Sequence, residues 1–116
     1  MALHHELPIY QKAYELLKEI ILITRNIPRD FKQQIGKELR GECTQITVLI
    51  FRANVSRQKT PYIQELLERL QVVELMLRMS KDMRWISTGH YATSIALTQN
   101  IGKQATGWKR ATSPAV

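Results

Sequence analysis

At 116 residues the chain is large enough for one hydrophobic core and too small for two. Its composition, 44% hydrophobic and 23% charged, is that of a globular domain; no apolar run is long enough to span a bilayer, and the start Met1-Ala2-Leu3-His4-His5-Glu6 lacks the basic and apolar regions of a secretory signal, so a cytoplasmic protein is expected. Seventeen Lys and Arg against ten Asp and Glu leave a formal charge of +7, while a single cysteine, Cys43, excludes an internal disulfide and, without clustered histidines, a zinc site.

Helical periodicity runs from Leu7 to Trp108 without strand-like alternation, and three breaks divide it into helices at about 7–26, 29–57, 61–84 and 88–108, with short flexible ends at 1–6 and 111–116. The first helix tolerates Pro8 in its opening turn and carries Tyr10, Ala13, Tyr14, Leu17, Ile20, Ile21 and Ile27 on its apolar face. Pro28 interrupts, and the second helix places Phe31, Ile35, Leu39, Cys43, Ile46, Ile50 and Ala53 at steps of three and four, which makes Cys43 a core residue. Thr60-Pro61 reads as a cap and first helical residue for the third helix, whose stripe is Ile63, Leu66, Leu67, Leu70, Val73 and Leu77. Ser87 caps a fourth helix carrying Tyr91, Ile95, Ile101, Ala105 and Trp108. Short connections make neighbours antiparallel, so the expected fold is all-α: one up-down-up-down four-helix bundle over residues 1–116.

The two middle helices carry a second apolar stripe. At 100° per residue, Val48, Phe51 and Val55 lie nearly opposite the core stripe of the second helix, and Val72, Met76, Met79 and Met83 lie away from Leu70, Val73 and Leu77 on the third, with Leu75 widening the patch. Left uncovered, such a surface marks a protein contact, and methionine suits an adaptable one; an oligomer or an obligate partner is expected. An irregular bundle that buries both stripes internally is the alternative.

Positive charge points to polyanions, RNA and DNA first, with acidic lipid or protein surfaces as alternatives. Folding the helices up and down gathers Arg52, Arg57, Lys59, Lys103, Lys109 and Arg110 at one pole. The other pole receives Arg25, Arg29, Lys32, Lys37, Arg78, Lys81 and Arg84, partly offset by Asp30, Glu38 and Asp82. Cations at helix C-termini also complement the helix dipole, which is a structural explanation for Arg57, Arg84 and Lys109. Without a zinc finger, recognition helix or ribonucleoprotein motif, binding would be largely independent of sequence. Trp85, Tyr91 and Trp108 could stack on bases or finish the core, and Trp108 continues the stripe of its helix.

No catalytic constellation is present. Glu42 and Glu74 point toward core stripes, but a di-metal bundle needs Glu-x-x-His on two helices and the chain has none; pairing with a cation such as Arg78, one turn after Glu74, is the expectation. His90 has no ligand partner at helical spacing, His4 and His5 fall in the flexible start, and Gly-rich phosphate loops and Gly-x-Ser-x-Gly are absent. A non-enzyme without cofactor is expected.

The segments Leu7 to Leu17 (LPIYQKAYELL), Ile27 to Gly36 (IPRDFKQQIG), Leu66 to Ser87 (LLERLQVVELMLRMSKDMRWIS) and Ile101 to Lys109 (IGKQATGWK) give the chain a resemblance to the accessory variability determinant (Avd) proteins of diversity-generating retroelements. These belong to a wider group of four-helix-bundle proteins that includes those encoded in ribosomal RNA intervening sequences. The resemblance implies a homopentameric ring with a basic surface that associates with a reverse transcriptase and with nucleic acid, template RNA or complementary DNA, as a non-catalytic helper. Ala105-Thr106 precedes Gly107-Trp108 where the family pattern has a more glycine-rich turn.

Overall fold

The computed structural model describes residues 3–112. A short 3-10 turn, His4–Glu6, leads into α1, Pro8–Thr24, with Pro8 at a position where the missing amide is not needed. The next helix, α2, is built of three stretches that follow without a break: Arg29–Phe31, a π turn Lys32–Gly36, and Lys37–Val55. Helices α3, Thr60–Asp82, and α4, Thr88–Thr112, complete the set, and no strand occurs among the described residues.

Connections of four or five residues reverse the chain each time. Each helix therefore packs on its neighbours in sequence, and α4 closes the square against α1. The result is an antiparallel four-helix bundle with extents of 47 × 24 × 20 Å. Its core is filled by Ile9, Ala13, Leu16, Ile20 and Ile23 of α1, Leu39, Cys43, Ile46 and Ile50 of α2, Ile63, Leu66, Leu70, Val73 and Leu77 of α3, and Ile101 and Ala105 of α4. Each large aliphatic side chain removed from water contributes about 1.5–3 kcal/mol. Helix α4 brings the least, since Ser94 and Thr98 take two of its inward positions.

Several local expectations change. On α1 the buried line is Ile9-Ala13-Leu16-Ile20-Ile23, while Tyr14, Ile21 and Leu22 face solvent. Phe31, near the start of α2 at the tip of the bundle, is also exposed and stacks on Trp85. Thr60 is the first residue of α3 and makes no side-chain cap. Ser87 does cap α4: its Oγ accepts the His90 amide at 3.0 Å.

At the other end of the long helices, α3 closes with the Trp85 amide donating to the Ser80 carbonyl and the Arg84 amide to that of Lys81, both at 2.9 Å. This is the Schellman arrangement, and Arg84 holds its left-handed position with φ of 63°, where glycine carries no steric penalty. Gly36 answers a different need, because α1 and α2 approach closely there. A Cβ at Gly36 would stand 3.1 Å from Arg40 Nη1 and 3.5 Å from Thr24 Cβ. Residues 4–6 form a turn in which the His4 ring packs edge-on against that of Tyr10. Helix α4 runs through Gly107 to Thr112, so no turn precedes Trp108; positions 113–116 lie outside the described residues.

Candidate nucleic-acid and assembly surfaces

The apolar stripes stand on two different parts of the bundle. Arg69 of α3 meets Glu42 of α2, and the two helices are antiparallel, so every step forward from Glu42 is matched by a step back from Arg69. Val48, Phe51 and Val55 therefore occupy the half of the bundle near the start of α3, and Val72, Met79 and Met83 the half near its end. The first group also leans toward α1: the His4 ring stands edge-on to Phe51, at 4.9 Å between centroids, and edge-on to Tyr10 at 5.2 Å. Exposed Tyr14 extends this patch along α1.

The second group centres on Leu75, 69% exposed, with Met83, 54% exposed, and Val72 and Met79 beside it. Met76 does not join them. It is 8% exposed and packs with the core, which places it on the inward margin of the stripe. Val48 is half-buried, whereas Phe51 and Val55 are exposed.

The basic poles are thinner than the sequence suggests. Lys59 spends its ammonium within the fold: Nζ donates to the carbonyls of Ala53, Asn54 and Ser56 at 2.9, 3.0 and 2.9 Å. These are carbonyls at the C-terminal end of α2, where a cation satisfies unpaired acceptors and the negative end of the helix dipole. Lys109 donates to Gln64 Oε1 and ties the end of α4 to the start of α3. Lys103 is not at the pole. Glu74 of α3 meets Thr98 of α4, so five residues past Thr98 is level with Arg69, more than two turns from the end of α4. Arg52, Arg57 and Arg110 remain exposed at that end.

At the opposite pole Arg78 and Arg84 are exposed, and Lys81 lies over the Tyr91 ring at 4.6 Å. Arg25, Arg29 and Lys32 are exposed as well, and none of them forms an ion pair among the described residues. Trp85 stacks on Phe31 with 4.9 Å between ring centroids and 27° between planes. Tyr91 and Trp108 pack against the core.

Glu19, Glu42, Glu65 and Glu74 have structural partners. Glu42 accepts twice from Arg69 Nη1, at 3.1 and 3.0 Å, and Glu65 accepts from Arg69 Nη2 at 3.1 Å. These bonds raise the Arg69 pKa further above its ordinary value, so the group is a fixed cation clamping α2 to α3. Glu74 accepts from Thr98 Oγ1 at 2.8 Å, and Arg78 is not its partner. His90 Nδ1 lies 3.0 Å from Glu19 Oε1, a contact between α4 and α1 that helical spacing within one segment could not reveal. Burial pushes the Cys43 thiol up to about 12, with the Glu42 charge adding to it, so the sulfur is a protonated core atom at neutral pH. The Arg69 clamp was missed from sequence, although Glu65 and Arg69 at i and i+4 were its signal.

Open grooves flank the bundle. One of about 670 Å³ follows the α1–α4 seam past Glu15, Glu19, Leu22 and Leu97; another of about 570 Å³ is lined by Gln33, Gln34, Lys37 and Arg40 beside the π turn. Among the described residues no group of three or more His, Cys, Asp or Glu is placed to hold a metal ion, and no helix is long and apolar enough to cross a membrane.

A basic antiparallel four-helix bundle with two exposed apolar patches, whose Glu19, Glu42, Glu65 and Glu74 are engaged in contacts that hold the helices, defines the class of small helical-bundle domains to which the chain belongs. The comparison with known families narrows this: residues 7–112 match the model described as bAvd-like. The chain belongs to that family, the accessory variability determinant group, whose members are accessory, non-catalytic proteins. No curated protein matches the chain significantly.

Proposed function

We propose that this chain is a cytoplasmic, non-catalytic accessory subunit of a diversity-generating retroelement. It assembles with copies of itself, as a pentameric ring, binds the element's reverse transcriptase, and binds template RNA and complementary DNA to support mutagenic copying and retrohoming. Family membership over residues 7–112 carries this reading. The net charge of +7 and the free cations at both poles support the nucleic-acid part, through counterion release along a phosphate backbone.

The two apolar patches support assembly. They are unlike each other and lie at opposite ends of the bundle, so a symmetric dimer made through one would leave the other in water. A contact that sets one patch against the other is heterologous, and such contacts close into rings when the rotation closes.

Two experiments test the proposal. Affinity purification of the tagged chain beside the neighbouring reverse transcriptase should recover both, and RNA binding in a salt series should fall linearly on logarithmic axes. Failure to bind RNA at low salt would replace this function with that of a helical oligomeric adaptor of the ribosomal RNA intervening-sequence type.

A further inference from the structure

We propose that the pole formed by the α1–α2 and α3–α4 connections is a base-stacking site for single-stranded nucleic acid, with the Phe31–Trp85 pair as its platform. The inference rests on the nucleic-acid part of the proposed function and assigns a place and a strandedness to it. Phe31 is 46% exposed even with Trp85 stacked on it, so apolar ring surface remains in water at the tip of the bundle. Arg29 and Lys32 flank Phe31 in sequence, Arg84 precedes Trp85, and Arg25 enters the same connection; Asp30 and Asp82 offset only part of this charge.

Two backbone irregularities converge on the same pole. The π turn at Lys32–Gly36 follows Phe31 directly, and irregular turns of this kind recur at functional sites. In the α3–α4 connection, Arg84, the residue before Trp85, occupies the left-handed position that glycine would fill without strain. From Phe31 a trough lined by Gln33, Gln34, Lys37 and Arg40 starts within one helical turn and contains no carboxylate. A ring pair that receives a base, next to a polar, cationic trough that follows the backbone, is the combination by which proteins hold single strands without reading sequence. Duplexes keep their base faces covered and would meet only the cations.

The test uses the full chain with Trp108→Phe, which leaves Trp85 as the reporting indole. Titration with a short oligoadenylate should quench Trp85 emission in step with binding, whereas the matching duplex should not. Phe31→Ala should weaken oligoadenylate binding about tenfold, and Phe31→Tyr should restore it. Phe31 is exposed, so helicity should be unchanged in both variants. Salt-dependent oligoadenylate binding with no quenching and no effect of Phe31→Ala would overturn the platform while leaving the nucleic-acid reading standing. Absence of any binding at low salt would overturn both.

Discussion

Lys59 separates a cation that holds the fold from one that meets a ligand, and Lys59→Met is the perturbation that tests the distinction. Methionine keeps most of the side-chain stem and removes the ammonium that donates to three carbonyls at the end of α2. A hydrogen bond from a charged donor contributes about 1.5–3 kcal/mol, but three on one half-buried group are not additive, and water can reach part of the vacated site. The expected loss is about 2 kcal/mol, or a fall in Tm of about 8 °C for a domain of this size. Arg57→Met, at an exposed residue without an ion pair, should change stability by less than about 0.5 kcal/mol. Calorimetry reads the first difference and a salt series on duplex DNA the second. At a temperature where both variants are folded, Lys59→Met should keep the wild-type salt slope, and Arg57→Met should lower it by up to about one. A Lys59→Met protein that melts like wild type but binds DNA with a reduced slope would refute the capping role.

Two further outcomes follow from the fold. Arg84→Gly should raise stability by about 1 kcal/mol, because glycine removes the steric cost of the left-handed conformation; an unchanged or lower Tm would mean that the arginine side chain makes a compensating contribution. Cys43 gives an alkaline limit: its thiol ionises near 9 when unfolded and near 12 in the core, so stability is unaffected below pH 9 and declines as pH rises from 9 toward 12, by up to about 4 kcal/mol. Cys43→Ala should remove that part of the decline while lowering stability at neutral pH, and alkaline titration of both proteins by circular dichroism tests it.

The number and order of the helices were legible because apolar spacing of three and four persists through each segment and Pro28, Pro61 and Ser87 punctuate it. The faces were less so. Seven of the eleven residues from Ala13 to Ile23 of α1 are aliphatic, so more than one phase of the wheel fits, and only contact with α2 and α4 selects Leu16 and Ile23 over Leu17 and Ile21. Phe31 keeps the spacing of three and four but stands at the tip of the bundle, 46% exposed and stacked on Trp85. Charges posed a related difficulty. Composition counts Lys59, Arg69 and Arg57 alike, while the fold encloses the first in carbonyls, forks the second between two carboxylates and leaves the third in solvent.

Assembly can be tested at single residues once the two patches are distinguished. Met76→Glu is a poor probe, since a carboxylate at that buried position would disrupt the core rather than an interface. Val55 and Leu75 are the better pair: both are exposed, and they sit on different patches at opposite halves of the bundle. If one patch of each copy meets the other patch of the next, Val55→Lys or Leu75→Glu alone should lower the oligomer size in sedimentation, because each places a desolvated charge in the contact. The double variant sets lysine against glutamate across every interface and should recover part of the assembly. An isologous contact predicts the opposite for the double variant, since each patch would then face its own copy and like charges would meet. Recovery at low salt that fades at high salt would identify the contact as heterologous; additive loss at all salt concentrations would rule it out, and a wild-type protein that sediments as a monomer would remove the ring altogether.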